Sequence, residues 1–258
     1  MKQMLGKNGR QAVIVFVVFL LAKGMPAYGK ALQFTSKGFT ETLETVVWSA
    51  QKGRVDLTSV HAVTNGWSLA AQLDEAVFFD NGVSSPLGFS DDATNTIAYA
   101  FAVVTCTESV DHATLIDAPC SIRLIPRHFN DTEAFFYESQ LTNTVSLSIN
   151  ATETNLFTTA VTPQLVEAAF DSPVPLNEIH VGGTPATAAW AQNWSGGVRE
   201  LILLADNPTD DELTAVRRYL SLKHSLAIPT ESDGAIVSTL NAMGIDSDGL
   251  FNTIFLVR

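Results

Sequence analysis

The chain has 258 residues and a formal net charge of −12, from 27 acidic and 15 basic residues. It is long enough to bury a sizeable core. Its acidic balance argues against nucleic acid as a partner, because phosphates need Lys and Arg to displace their counterions. The acidic residues are spread along the chain without a long run, which is typical of a well-hydrated surface.

The first 29 residues have the order of a secretory signal peptide. Three basic residues precede an unbroken apolar run of eleven residues at Ala12–Ala22, and Ala27–Gly29 supplies the small residues that a signal peptidase reads. The run is shorter than the roughly twenty residues that span a bilayer, and an uncleaved N-terminal anchor is the alternative. We therefore expect residues 1–29 to be removed at export, a secreted, periplasmic or cell-surface location, and no membrane span in the mature chain.

After the signal the apolar residues mostly alternate, which predicts short strands. Ile97–Thr105 is apolar on both faces, with large side chains on one and small ones on the other, and it therefore suits an inner strand covered on both sides. Shorter runs continue through Ser121–Ile125, Ala134–Ser139 and Thr144–Ile149, while Pro163–Phe170 suggests a short helix. This succession indicates an all-β sandwich or barrel.

Cys106 and Cys120 are the two cysteines of the chain. Export would place them in an oxidising compartment, where a disulfide persists. Because they lie at the end of one predicted strand and the start of the next, we expect a Cys106–Cys120 disulfide across a hairpin-like loop. Two cysteines without a nearby histidine pattern do not predict a zinc site.

The clearest local signals lie in the last third of the chain. Two strands are predicted, Glu178–Val181, which ends in a Gly-Gly pair, and Val198–Leu204. A helix follows, since Thr209 and Glu212 have the spacing of a capping box and apolar residues recur behind them at helical spacing. A second short helix is predicted at Ala235–Met243.

This order of elements resembles the end of a laminin G-like, concanavalin A-like jelly-roll domain of the lectin and glucanase type. The residues that carry the resemblance are His180–Gly183, Trp194–Glu200 and Tyr219–Lys223. Weaker similarity reaches back to Ala31–Phe34, which looks like the family's first strand. The resemblance implies a jelly-roll β-sandwich of two antiparallel sheets over residues 30–228, with a C-terminal α-helix. It leaves residues 229–258 as a C-terminal extension, either an edge element or a small appendage.

Two tryptophans and three aspartates are the candidate ligand-binding residues. Trp190 and Trp194 flank a loop, and exposed aromatic rings stack on sugars in many lectins, whereas tryptophans near strand ends usually cover the core. Laminin G-like domains often bind calcium at the sandwich rim, so the resemblance implies a Ca²⁺ site with Asp80, Asp91 and Asp92 as candidate ligands. Turns rich in Asp, Asn and Gly are common in any β-protein, and no other cofactor is indicated.

No catalytic pattern accompanies the resemblance. Glycoside hydrolases of the laminarinase type carry two glutamates around an aspartate on one strand, and retaining hydrolysis needs carboxyl groups roughly 5 Å apart. No Glu-x-Asp-x-Glu pattern or nucleophile elbow occurs, and we expect His180 and His224 to be structural. Glu200 is the acid of most interest, because it lies within an apolar strand and an unpaired buried charge costs several kcal/mol. Its neighbour Arg199 is expected on the opposite face, so Glu200 needs another partner or a ligand.

The sequence therefore predicts a non-catalytic binding module for carbohydrate or another surface polymer. A structural or adhesive domain that contacts proteins is the alternative. A glycan-cleaving enzyme is the third hypothesis, and no catalytic motif in the sequence supports it.

Overall fold

A computed structural model describes residues 30–52, 55–61, 68–80, 84–89, 95–107, 113–118, 121–126, 133–139, 145–154, 156–158, 162–185, 193–228, 236–247 and 250. Its strands form two antiparallel sheets, of eight and nine strands, and two α-helices follow the last strand. These features confirm the all-β class, the two antiparallel sheets and the C-terminal helix that the sequence predicts.

The strands range from two to twelve residues and are distributed along the whole described chain. In chain order they are β1 (Ala31–Thr35), β2 (Phe39–Glu41), β3 (Val46–Ser49), β4 (Asp56–Ser59), β5 (Ala71–Leu73), β6 (Ala76–Phe79), β7 (Leu87–Phe89), β8 (Thr96–Val104), β9 (Ala113–Asp117), β10 (Ser121–Pro126), β11 (Glu133–Ser139), β12 (Val145–Ile149), β13 (Thr152–Glu153), β14 (Leu156–Thr158), β15 (Gln164–Pro175), β16 (His180–Val181) and β17 (Gly196–Leu204). The helices are α1 (Asp210–His224) and α2 (Ile236–Met243), and short 3-10 helices span Ser36–Gly38 and Leu176–Glu178.

Most neighbours in the sheets are distant along the chain. The first sheet has the order β13-β12-β15-β8-β17-β6-β5, and β1 pairs with β17 as well. The second sheet has the order β14-β11-β10-β9-β16-β7-β4-β3-β2. Strands β8 and β17 therefore lie at the centre of the first sheet, which explains why both are apolar on both faces.

An apolar core fills the space between the two sheets. Trp48 and Trp194 are its largest fully buried side chains. Phe34 packs against Trp48 with the ring centroids 5.6 Å apart. Burying each such side chain contributes on the order of 1.5–3 kcal/mol, so this core is the main source of stability for the two sheets.

A second apolar cluster lies between the first sheet and the helices. Tyr99, Phe101 and Val103 of β8 face it, and Val216 and Leu220 of α1 pack against them. Buried residues of α2 belong to the same cluster. The alternation along β8 thus places Tyr99, Phe101 and Val103 under the helices. Ala100, Ala102 and Val104 lie between the sheets.

The capping box at the start of α1 is confirmed. Thr209 Oγ1 accepts from the Glu212 backbone N–H at 3.4 Å, and the Thr209 N–H donates to the Glu212 carboxylate at 2.8 Å. Lys30 Nζ also donates to that carboxylate, at 2.6 Å, and so holds the start of α1 close to the start of β1. No helix in the described ranges is both long and apolar enough to cross a bilayer.

The short helix suggested at Pro163–Phe170 is wrong, because the segment belongs to the twelve-residue strand β15. Its Val166 faces the core between the sheets while Leu165 faces the helices. Because both faces are buried, the apolar residues do not alternate with polar ones, and the strand period is hidden.

Of the Gly-Gly pair after β16, Gly182 must be glycine. Its φ is +81°, and a Cβ would lie 2.1 Å from the Phe79 ring.

Candidate functional site

Glu200 lies in the middle of β17, on the outer face of the first sheet. The register of β17 against β8 shifts between Val198 and Glu200, which marks a β-bulge. Val198 faces the core between the sheets, and the extra residue lets Arg199 and Glu200 both face the outer side. Strict alternation would place these two side chains on opposite faces, so that expectation is wrong because of the bulge.

The Glu200 carboxylate is fully buried beneath α1 and has four side-chain partners. Gln33 Nε2 and Tyr219 Oη donate to Oε1, at 2.7 and 2.9 Å. His224 Nε2 lies 2.8 Å from Oε2, and Lys223 Nζ lies 3.1 Å from the same oxygen. Each carboxylate oxygen therefore has two partners, and the positive charge of Lys223 balances the acid.

These contacts keep Glu200 ionised. Burial alone would raise the pKa of Glu200, but the His224 hydrogen bond and the charge of Lys223 outweigh it, and the pKa is lowered. The Nδ1 atom of His224 is buried and has no hydrogen-bond partner among the described residues. The imidazole proton therefore belongs on Nε2, where it is donated to Glu200.

Gln33 joins this cluster to the end of α2. Its Nε2 donates to the Asp246 carbonyl at 3.1 Å, and its Oε1 accepts from the Asp246 N–H at 2.8 Å. The side-chain amide thus pairs with the Asp246 backbone as a peptide group of a neighbouring strand would. The described part of the C-terminal extension, residues 236–247, is therefore built into the helix layer.

A second buried carboxylate, Glu167 of β15, is neutralised in the same way. Arg217 Nη2 donates to it at 2.8 Å and Arg217 Nε at 3.0 Å, while Tyr99 Oη donates at 2.9 Å. Burial and the negative charge of Glu167 raise the pKa of Tyr99, so its phenol remains a neutral donor. An acid inside the apolar run of β15 is the same sequence signal that singled out Glu200, and sequence reasoning missed it.

The two carboxylates act as anchors for α1. Glu167 and Glu200 lie on the strands that flank β8, and each pairs with a basic residue of α1. Removing one partner from such a buried pair is strongly destabilising. The geometry therefore gives these acids a structural role beneath the helix, and it presents neither of them to a substrate.

Trp194 belongs to the core and not to a binding surface. Its side chain is 0% exposed, and its indole N–H donates to the Thr105 carbonyl at 3.2 Å. The structure therefore corrects the expectation that Trp194 stacks on a ligand: it has the core role that tryptophans near strand ends commonly have. Trp190 lies outside the described residues, and its ligand role stays a prediction.

The calcium prediction is only partly within the described chain. Asp80 makes two hydrogen bonds with Ser84: its N–H donates to Ser84 Oγ at 2.7 Å, and its carbonyl accepts from the Ser84 N–H at 3.1 Å. Asp91 and Asp92 lie outside the described residues. Across the described ranges, no three His, Cys, Asp or Glu side chains are placed to hold a metal ion, so Ca²⁺ binding remains a prediction for the rim.

The disulfide prediction is tested by intact mass. Cys106 is buried just beyond β8, and Cys120 lies outside the described residues. A bond across this loop of about fifteen residues would contribute roughly 3 kcal/mol in the chain-entropy model. We expect protein exported to an oxidising compartment to take up no alkylating reagent before reduction and two equivalents after it. Two alkylated cysteines in unreduced protein would rule the bond out.

The outer face of the second sheet carries a row of mostly polar positions on four neighbouring strands. Asp117, His180, Gly88 and Thr58 lie side by side on β9, β16, β7 and β4, and we call them the polar row. Val181, next to His180, faces the core, so His180 faces outward. A Cβ at Gly88 would lie 2.9 Å from His180 Cδ2, which shows that the imidazole ring lies across the glycine.

His180 is the centre of this row. Burial lowers the pKa of His180, the nearby Asp117 partly offsets this effect, and the nearby His61 adds to it. The imidazole is therefore uncharged at neutral pH. Val60, which is 40% exposed, lies beside Gly88 on the same face. A flat ring and an aliphatic group thus lie between a carboxylate and a hydroxyl.

A pocket of about 170 Å³ opens on the other side of the molecule. It lies on the outer face of the first sheet, beyond the area that α1 and α2 cover. Its lining residues are Leu73, Asp74, Ala76, Phe78, Thr105, Thr107 and Arg199. None of them was a candidate site residue in the sequence, because the turn and the bulge that bring them together leave no motif.

The chemistry of these surfaces is the basis for assigning a function. No protein family model, curated protein or solved structure matches the chain. The likeness to laminin G-like domains therefore remains an expectation from the sequence, and the outer faces of the two sheets carry the groups that a ligand could contact.

Proposed function

We propose that this chain is a secreted or surface-exposed, non-catalytic binding module of concanavalin A-like jelly-roll type. Its ligand is carbohydrate, and the polar row is the contact surface. The observation that carries this proposal is the difference between the two outer faces. Helices α1 and α2 cover the central strands of the first sheet, whereas His180 and Thr58 of the second sheet remain half-buried on a face that neither described α-helix covers.

The polar row has the groups that a sugar ring requires. Asp117 accepts hydrogen bonds from vicinal hydroxyls, and the Thr58 hydroxyl both donates and accepts. The His180 ring and Val60 offer apolar surface for the C–H face of the sugar. The net charge of −12 favours a neutral glycan over an acidic one. A shallow face of this kind makes few buried contacts, so we expect affinities of about micromolar to millimolar.

The non-catalytic part of the proposal is supported by the state of the buried acids. Glycoside hydrolysis needs an acid and a nucleophile or base on either side of the scissile bond. Glu167 and Glu200 are instead enclosed beneath α1 and neutralised by Arg217 and Lys223. Release of reducing sugar from a β-glucan, abolished by changing one acidic residue, would contradict the proposal.

A glycan array followed by calorimetry tests the surface. We expect saturable binding of at least one neutral glycan, weakened about tenfold, or by about 1.4 kcal/mol, by either Asp117→Asn or His180→Ala. The first change weakens the hydrogen bonds to the sugar hydroxyls, and the second removes the flat ring that contacts the C–H face. Asp171→Asn is the matched control, because it makes the same change at an exposed position of β15 in the first sheet. Equal effects of Asp117→Asn and Asp171→Asn would remove the polar row as the contact surface.

Protein adhesion is the alternative function, and one observation favours it. Leu43, between β2 and β3 at the edge of the second sheet, is 95% exposed, so its apolar side chain is available for a protein contact. If no glycan on the array binds, pull-down from surface extracts with wild type and Leu43→Ser discriminates the two. Capture of one partner that Leu43→Ser loses, while Asp117→Asn retains it, would favour adhesion.

A further inference from the structure

The pocket beside Arg199 is separate from the polar row. Ala76 and Phe78 of β6 line it, and they alternate with Val77 and Phe79, which face the core between the sheets. The pocket is therefore on the outer face of the first sheet, and the polar row is on the outer face of the second. An inference about the pocket consequently does not rest on the proposed function of the polar row.

Arg199 brings unsatisfied donors to the pocket. Its Nε is buried and has no hydrogen-bond partner within the described part of the chain. The guanidinium has an ion-pair contact with Glu75, but Nη1 lies 3.9 Å from the carboxylate and the Glu75 side chain is 79% exposed. Such a contact contributes little. A buried donor without an acceptor is costly. Solvent does not reach Nε, so a ligand oxygen would bond instead to the Nη groups of this side chain, which is 29% exposed.

Asp74 supplies the opposite chemistry at the rim. It occupies the turn between β5 and β6, in the left-handed conformation with φ of +54°, and it lines the pocket together with Arg199. One group therefore donates and the other accepts. A hydroxyl does both, so a pair of neighbouring hydroxyls can bond to a guanidinium and a carboxylate at once.

The remaining walls are apolar or carry hydroxyls. Leu73 is 57% exposed at the rim, and Phe78, Thr105 and Thr107 line the same pocket. Apolar surface with a few convergent polar groups is the usual composition of a small-molecule site. The exposed Leu73 would lose contact with water if a ligand with an apolar face entered.

Gly197 lies between residues that line the pocket. A Cβ at this position would lie 2.9 Å from Ala76 Cβ and 3.0 Å from Thr105 Oγ1, so any other residue would fill the gap between two lining residues. The backbone around it is held by the Gly197 N–H, which donates to Thr105 Oγ1 at 3.2 Å.

From these features we infer that the Arg199 pocket binds a single neutral monosaccharide unit, at the end or branch of a glycan. The volume of about 170 Å³ is below the roughly 300 Å³ at which drug-sized sites begin, which suits one ring. Asp74 at the rim and the net charge of −12 both oppose an anionic ligand. Because this pocket and the polar row face opposite ways, a molecule with both occupied would bridge two glycan chains.

The test is an NMR titration of the exported protein labelled with ¹⁵N. The probes are the methyl glycosides of glucose, galactose and mannose, with methyl glucuronide as the charged counterpart. We expect at least one neutral glycoside to shift the amides of Gly197 and Thr105 saturably. Arg199→Met and Asp74→Asn should each weaken this binding about tenfold or more, since each leaves polar groups of the complex unpaired. Asn tolerates the left-handed conformation of residue 74, so this variant keeps the turn.

Glu75→Gln is the matched control, because it removes one negative charge next to Asp74 at a residue outside the pocket lining. It should change the affinity less than about twofold, as expected for an exposed charge. A well-dispersed spectrum identifies folded variants, and Asp74→Asn decides the matter if Arg199→Met is unfolded. The inference is overturned if no neutral glycoside shifts these amides, if only the glucuronide does, or if Asp74→Asn and Glu75→Gln act alike. Shifts that persist in Asp117→Asn would show that this site acts independently of the polar row.

Discussion

Glu200→Ala is expected to lower the free energy of unfolding by about 3–5 kcal/mol, the usual result of breaking a buried ion pair by removing one partner. The truncated side chain leaves Lys223, His224 and Gln33 beneath α1 without their common acceptor. Urea denaturation followed by tryptophan fluorescence measures the change, with the slope m as a check on two-state behaviour. A loss below about 1 kcal/mol would show that these donors find other partners and that Glu200 is not an anchor.

The double variant Glu200→Ala/Lys223→Met separates a lost attraction from an orphaned charge. Removing Lys223 as well takes away the cation that Glu200 no longer balances, so the double variant should be more stable than Glu200→Ala. A coupling energy of 0.5–3 kcal/mol is typical of residues in one network and is expected, at about that size, from the double-mutant cycle. Lys223 Nζ lies 3.1 Å from the carboxylate, so the two residues should be coupled. If the effects of the two substitutions simply added, the ion pair would contribute no interaction energy.

The same carboxylate makes stability depend on acid pH. The pKa of Glu200 is lowered in the folded protein from an ordinary value of 4.5, so in this range the unfolded chain binds more protons than the folded one. Its contribution is therefore complete above about pH 4.5 and is lost as the pH falls through the lower folded pKa. Glu200→Gln keeps the shape and removes the titration. The wild type should thus lose more stability than Glu200→Gln between neutral pH and pH 3.

Local signals in the sequence were sufficient for the elements around Glu200. The capping box at Thr209 and Glu212 depends on residues three apart, and the structure confirms it. The apolar stretch at Ile97–Thr105 predicted an inner strand because a central strand buries both of its faces. The same two-sided burial misled the prediction for β15, since an apolar run without alternation fits a buried helix as well as a buried strand.

The partners of the buried acids could not be predicted from local patterns. Gln33 is 167 residues from Glu200 and 213 residues from Asp246, so only the pairing of β1 with β17 and the return of the chain through α2 bring the three together. A bulge has no reliable signature in a single sequence. Strict alternation along β17 without the bulge predicts that Arg199 faces the core between the sheets. The pocket therefore appears only in the three-dimensional arrangement, although Glu200 itself could be singled out from its apolar neighbours.

Trp194→Ala is expected to cost about 3–5 kcal/mol of unfolding free energy, the range for a large aromatic side chain removed from a core. The indole is fully buried, and its N–H donates to the Thr105 carbonyl. Its backbone N–H also donates to the Gly182 carbonyl at 3.0 Å, so the cavity opens where the start of β17 meets the end of β16. The expected result is a large fall in melting temperature, measured by circular dichroism.

Trp194→Phe is the matched control, because it keeps an aromatic ring and removes the indole donor. It should cost less than the alanine variant, on the order of 1–3 kcal/mol for a buried carbonyl left without its partner and a smaller cavity. If Trp194 instead stacked on a ligand, Trp194→Ala would lose glycan binding while the melting temperature barely moved. That outcome would show that Trp194 belongs to a binding surface. A small loss of stability in Trp194→Phe and a larger one in Trp194→Ala are expected from its place in the core between the sheets.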